Sequence, residues 1–151
     1  MKTFLFKLEP LLKLRKNERD IRQQSLACLL RLDGELAGRR RQISARRDVQ
    51  IEELRALNTG GNVIDIDAST ARRDYAVRLA ATMGEIDIQR TALAPKIDEC
   101  RLALVRADQA VKSLEKLAEK QQAEFAFQQE RLESRALEET WQANHCAERD
   151  P

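Results

Sequence analysis

Residues 93–132 read LAPKIDECRLALVRADQAVKSLEKLAEKQQAEFAFQQERL, and counting through them by sevens decides the fold. From Ile97 the count lands on Leu104, Val111, Ala118, Phe125 and Leu132, all apolar. The interleaved count takes Leu93, Cys100, Ala107 and Leu114 before Gln121 and Gln128 interrupt it. Two rows seven apart, offset by three and four, merge into one stripe down a helix that supercoils against a partner. Ordinary soluble helices stop after about three or four turns, and this pattern outlasts them. So narrow a stripe cannot be buried by its own helix. It predicts a second helix of comparable length.

That partner lies in the first third of the chain. Pro10 suits the first turn of a helix, where its missing N–H costs nothing. From Leu26 two rows appear: Leu29, Leu36, Ile43, Gln50 and Leu57, and beside them Leu26, Asp33, Arg40, Arg47 and Leu54. The second row is polar in its middle, so this seam is expected to be loosest over residues 33–47. Gly34 and Gly38 fall there, each unfavourable by about 1 kcal/mol relative to Ala in a helix interior. Because the sevens keep phase, the reading is a soft spot rather than a stop.

Asn58-Thr59-Gly60-Gly61-Asn62 is the strongest breaker in the chain. The following VIDID reads as a short extended piece, and Asp67 or Ser69 offers the N-cap of the next helix. That helix carries its stripe through Leu79, Met83, Ile86, Leu93 and Ile97, and Pro95 lies inside it. A proline removes one hydrogen bond and clashes with the carbonyl four residues back, here Thr91. Phase held across Pro95 favours a kink. Equal lengths favour a break, since residues 10–57 and 96–143 both number 48. Either way the expected fold is all-α, a long antiparallel two-stranded coiled-coil hairpin over residues 1–151. It has a helix at 10–57, a Gly-rich turn at 58–66, helix at 67–143 kinked or broken near 95, and a frayed tail at 144–151.

Composition agrees. Charged residues make up 34% of the chain and aromatics only 4%, as in coiled coils rather than globular cores. Residues 1–57 hold 14 Lys and Arg against 8 Asp and Glu, while residues 58–151 hold 13 against 17. Opposite net charges suit two antiparallel helices of one chain and leave separate basic and acidic surfaces. The three cysteines, Cys28, Cys100 and Cys146, form no close pair, so a reducing compartment is expected. Phe4, Leu5, Phe6 and Leu8 make too short an apolar run for a signal peptide, and no run has the length of a membrane span.

No pattern of catalysis appears: there is no GxxxxGK[ST] phosphate loop, no GxGxxG and no HExxH. His145, the only histidine, sits beside Cys146 near the tail, a poor anchor for a metal. Carboxylate pairs such as Glu138-Glu139 on exposed helix faces read as solvated charge. Neither catalytic residue, cofactor nor metal is therefore expected. Cys28 and Cys100 fall near seam positions and are expected to pack as small hydrophobes. Arg39, Arg40, Arg41, Arg46 and Arg47 form a basic cluster that could meet nucleic-acid phosphates. Without interleaved aromatics, and with acidic segments nearby, a solvated or protein-contacting face is the preferred reading. Phe6 and Phe125 are expected to pack where helix ends meet. The apolar lead-in is alternatively a contact surface for another protein.

The opening F-x-L-x-x-L-L-x-x-R-x-x-E, here Phe6, Leu8, Leu11, Leu12, Arg15 and Glu18, resembles the start of the FliJ family of flagellar type III export. The stretch KSLEKLAEKQQAEF at 112–125 looks like that family's C-terminal helix. The resemblance implies a helical hairpin similar to the stalk of the rotary ATP synthase gamma subunit. It implies docking to the export ATPase FliI and the export gate protein FlhA, handling of export chaperones, and a cytoplasmic location at the inner membrane of the flagellar base. No nucleic acid is expected, and the membrane is met only through partners. Partner contacts are expected at Phe4, Leu5, Phe6 and Arg15, on the end that carries both termini. The other readings are a basic-faced nucleic-acid-associated coiled coil and a purely structural oligomerising rod.

Overall fold

A computed structural model describes residues 3–59 and 65–147. They form two helices packed against each other, α1 over Glu9–Thr59 and α2 over Ile66–Ala147. Among the described residues there is no strand. The chain divides into two compact units, one of Met1–Asp20 with Val105–Pro151 and one of Ile21–Leu104.

In the Ile21–Leu104 unit the helices run antiparallel. Asp33 pairs with Arg90, Arg40 with Asp87 and Glu53 with Arg72, so partners descend along α2 as they climb along α1. Its core is Ile43, Leu79, Met83 and Ile86, with Leu36 packed on them. Each such side chain contributes about 1.5–3 kcal/mol when taken fully out of water. Ile97 is buried in the same unit.

The other unit is antiparallel too. Lys16 Nζ reaches Glu115 Oε1 at 2.8 Å, and Phe4 lies against Phe125. Leu12 and Val111 are its buried side chains, Val111 being only 1% exposed.

The heptad count is visible in the burial of both helices. On α2 every position from Arg72 through Ala76, Leu79, Met83, Ile86, Arg90, Leu93, Ile97, Cys100, Leu104, Ala107, Val111, Leu114, Ala118 and Gln121 to Phe125 is at least half-buried. On α1 the two rows from Leu26 to Leu54 are likewise at least half-buried, charged members included. The ends differ from expectation. Leu57 and Leu132 are in phase with their rows but exposed. An apolar residue at the right spacing is buried only where a second helix faces it.

Pro95 lies within α2, which is one helix from Ile66 to Ala147 and is not broken there. Thr91 and Pro95 are both exposed, so the carbonyl that loses its donor lies where water can serve it. Thr91 donates its own hydroxyl to the Asp87 carbonyl at 2.8 Å. The cap of α2 is neither Asp67 nor Ser69 but Asp65. Its Oδ1 accepts the N–H groups of Asp67 and Ala68 at 3.1 Å each. The Asp65 carbonyl takes the N–H of Ser69. Asp67 then sits in the first turn, where its charge suits the helix dipole. Residues 60–64, with Gly60-Gly61 and the first two residues of the VIDID piece, lie outside the described residues, as do 148–151 of the tail, while Ile66 and Asp67 of that piece are helical rather than extended. The helix itself continues past 143 to Ala147.

Candidate docking surface

Exposed apolar side chains occur in both units, and those of the unit formed by the two ends of the chain include Leu5, Phe127, Leu132, Leu137 and Trp141. Its N-terminal residues carry no regular secondary structure up to a turn at Lys7 and Leu8. The Phe6 carbonyl accepts the Glu9 N–H at 3.1 Å and the Leu8 carbonyl accepts that of Leu12 at 2.9 Å, which leads into α1. Phe4 and Phe6 are half-buried while Leu5 between them is 83% exposed.

The sequence expectation grouped Phe4, Leu5, Phe6 and Arg15 as one contact set; the structure separates them. Phe4, not Phe6, meets Phe125, with ring centroids 5.7 Å apart. Arg15 Nη1 binds Glu18 Oε2 at 2.8 Å on its own helix, an exposed pair of small energetic weight. Within the resemblance motif, Leu12 is buried and thus accounted for by packing, whereas Leu8 and Leu11 remain exposed. Leu5 is the member of the set most open to a partner.

Sequence reasoning missed the second half of the surface. Beyond the seam, every residue from 130 to 143 is exposed. Phe127 is 59% exposed, Leu132 57%, Leu137 72% and Trp141 65%. Phe127, Glu130, Ser134, Leu137 and Trp141 follow a three-four spacing of their own, offset from the intramolecular seam. The Arg131 guanidinium sits 5.9 Å from the centre of the Phe127 ring, a cation–π contact. The repeat was legible in the sequence but hidden by the stronger row that ends at Phe125.

The basic cluster is partly consumed. Arg40 Nε donates to Asp87 Oδ1 at 2.6 Å and Arg47 Nη2 to Asp48 Oδ1 at 2.7 Å. Arg39, Arg41 and Arg46 stay exposed. Of the cysteines, Cys100 is half-buried in the seam, but Cys28 is exposed, one position off its row. The expectation that Cys28 packs as a hydrophobe is corrected.

The ion pairs fix charge rather than free it. The Arg90 hydrogen bond holds the Asp33 carboxyl below the usual carboxylate range, against a smaller opposing effect of burial. Asp33 in turn raises Arg90, and Asp108, 2.6 Å from Lys112, raises that ammonium. A group that transfers protons near neutrality needs the opposite displacement. Among the described residues no group of three or more His, Cys, Asp or Glu is placed to hold a metal ion. The side chains of His145 and Cys146 lie outside that description. Among the same residues no helix is long and apolar enough to cross a membrane.

Compared with known proteins, no family model matches the chain, and no curated protein or solved structure matches it significantly.

Proposed function

We propose that this chain is a docking protein of bacterial flagellar type III export, a helical hairpin that engages the export ATPase ring and regulates its turnover. The observation that carries the reading is the exposed apolar set Leu5, Phe127, Leu132, Leu137 and Trp141, all in the unit built from the chain's two ends. Large apolar side chains left in water are the groups that a partner would cover. Aromatic anchors of this kind carry much of the energy of protein interfaces. The resemblance at Phe6, Leu8, Leu11, Leu12, Arg15 and Glu18, and at 112–125, supplies the identity of the partner. A pair of helices, each about 10 Å across, is of a width to enter the opening of a ring. Contact with the export gate protein, escort of export chaperones and a place on the cytoplasmic side of the flagellar base belong to the same proposal.

The test is ATP hydrolysis by the purified export ATPase with and without this protein. Stimulation is expected, with no hydrolysis by the protein alone. Removing residues 2–6 also deletes the Phe4–Phe125 contact, so Leu5→Ser and Leu137→Ser are the cleaner variants. Both should cut stimulation several-fold while helix content by circular dichroism stays unchanged. Full stimulation by both variants would move the contact elsewhere, and an intact protein that neither binds nor stimulates the ATPase overturns the reading.

A further inference from the structure

Within the Ile21–Leu104 unit the features that weaken a helical pair coincide at one level. The seam there is charged, with Arg90 Nε donating to Asp33 Oδ1 at 2.8 Å and Arg40 Nε to Asp87 Oδ1 at 2.6 Å. On α1 the same level holds Gly34 and Gly38; on α2 it holds Pro95, with Gly84 just before the ion pairs. A groove of roughly 490 Å³ opens along it, lined by Leu30, Asp33, Asp87, Arg90, Thr91 and Ala94 among others. On one side lies the apolar cluster of Ile43, Leu79, Met83 and Ile86, and on the other the buried Ile97.

Nothing in the packing asks for these glycines. A Cβ at Gly34 or Gly84 would meet no atom within 4 Å, and one at Gly38 only the mobile tip of Arg41 at 4.0 Å. Alanine would fit at each and favour the helix. Their effect is thus on flexibility, not on close approach. The ion pairs hold the same stretch weakly: the pairs are substantially exposed and lose strength as salt rises. Local opening in proteins begins where buried apolar contacts are few.

We propose that residues 33–40 of α1 and 87–95 of α2 form a hinge latched by salt-sensitive ion pairs, which opens as one local unit before the apolar segments on either side. The device is independent of any partner. An interaction protein gains from it a place to bend without unfolding its core.

Native-state hydrogen exchange of the full chain, read by mass spectrometry as protection factors, tests this. Amides of 34–41 and 88–95 should be less protected than those of 43–51 and 79–86. Raising salt from about 0.1 M to about 1 M shortens the screening length from about 10 Å to about 3 Å, and should widen that gap. In Gly34→Ala/Gly38→Ala, protection should rise about fivefold per site, selectively at the hinge. Asp33→Leu/Arg90→Leu should reduce the salt dependence, leaving the part due to Arg40–Asp87, while keeping the helices. Uniform protection along the unit, a gap indifferent to salt, or an alanine effect spread evenly over both helices would each overturn the hinge.

Discussion

Phe4 rests on Phe125 with ring centroids 5.7 Å apart and planes tilted by 45°, joining the N-terminal lead-in to the last seam position of α2. Tilted aromatic pairs gain about 0.5–1.5 kcal/mol beyond the area they bury. Chemical denaturation of Phe4→Ala, Phe125→Ala and the double variant should return a coupling of that size. The same cycle with Phe6→Ala should give a coupling near zero. A larger coupling to Phe6 would mean the lead-in is threaded in the other register.

Val111 is the most deeply buried side chain, whereas Leu104 one heptad earlier is half-buried. Val111→Asp should therefore lower stability by about 4 kcal/mol or more, because a carboxylate would lose its water without gaining a partner. Leu104→Asp should be milder. Arg131→Asp, which forfeits an exposed cation–π contact over Phe127, should lose no more than about 1 kcal/mol. Thermal unfolding should rank the three in that order.

The lowered carboxyl of Asp33 ties stability to acid. Its folded-state value lies below the unfolded value, near 3.9 for an ordinary Asp, so the stabilisation is complete above that value. It is lost as pH falls through the folded-state value. Asp33→Asn should thus be less stable than the parent at neutral pH, with the difference shrinking below about pH 4. An offset that persists undiminished into acid would show that Arg90 does not hold that charge.

At the start of α2 three polar residues compete for the same role, and their substitution should separate them. Asp65→Ala removes two accepted N–H bonds and should lower stability by about 1 kcal/mol. Asp67→Ala loses only its interaction with the helix dipole, about 0.3–1 kcal/mol. Ser69 Oγ is buried without a hydrogen-bond partner among the described residues, so Ser69→Ala should be neutral or stabilising.

The hairpin was legible in the sequence because period seven is written by many residues at once, so no single substitution hides it. What one residue decides was harder to read. Asp67 and Ser69 are as good capping types as Asp65, and the choice depends on where the backbone first turns. Leu132 continues its row perfectly, yet rows say nothing of where the facing helix stops. Net charge misled in a subtler way. Lys16–Glu115 and Arg40–Asp87 do run from a basic α1 to an acidic α2, but Asp33–Arg90 and Glu53–Arg72 run the other way. Pairing is matched level by level, and the asymmetry between halves is a by-product. The candidate surface was half legible: Leu5 was expected, while the second repeat of Leu137 and Trp141 stood in the sequence behind the stronger row that ends at Phe125.

The run of exposed residues from 130 to 143 has a consequence for the lifetime of the chain. The seam does not bury this stretch, and a protease cuts where several consecutive residues can come free together. Arg101 and Arg106 are exposed too, yet they belong to a stretch in which every third or fourth residue is gripped by the seam. Trypsin should cut first at Arg131 and Arg135 and leave Arg101 and Arg106 whole until the pair melts. Docking on this segment would then shield the scissile bonds, so that a bound molecule outlives a free one.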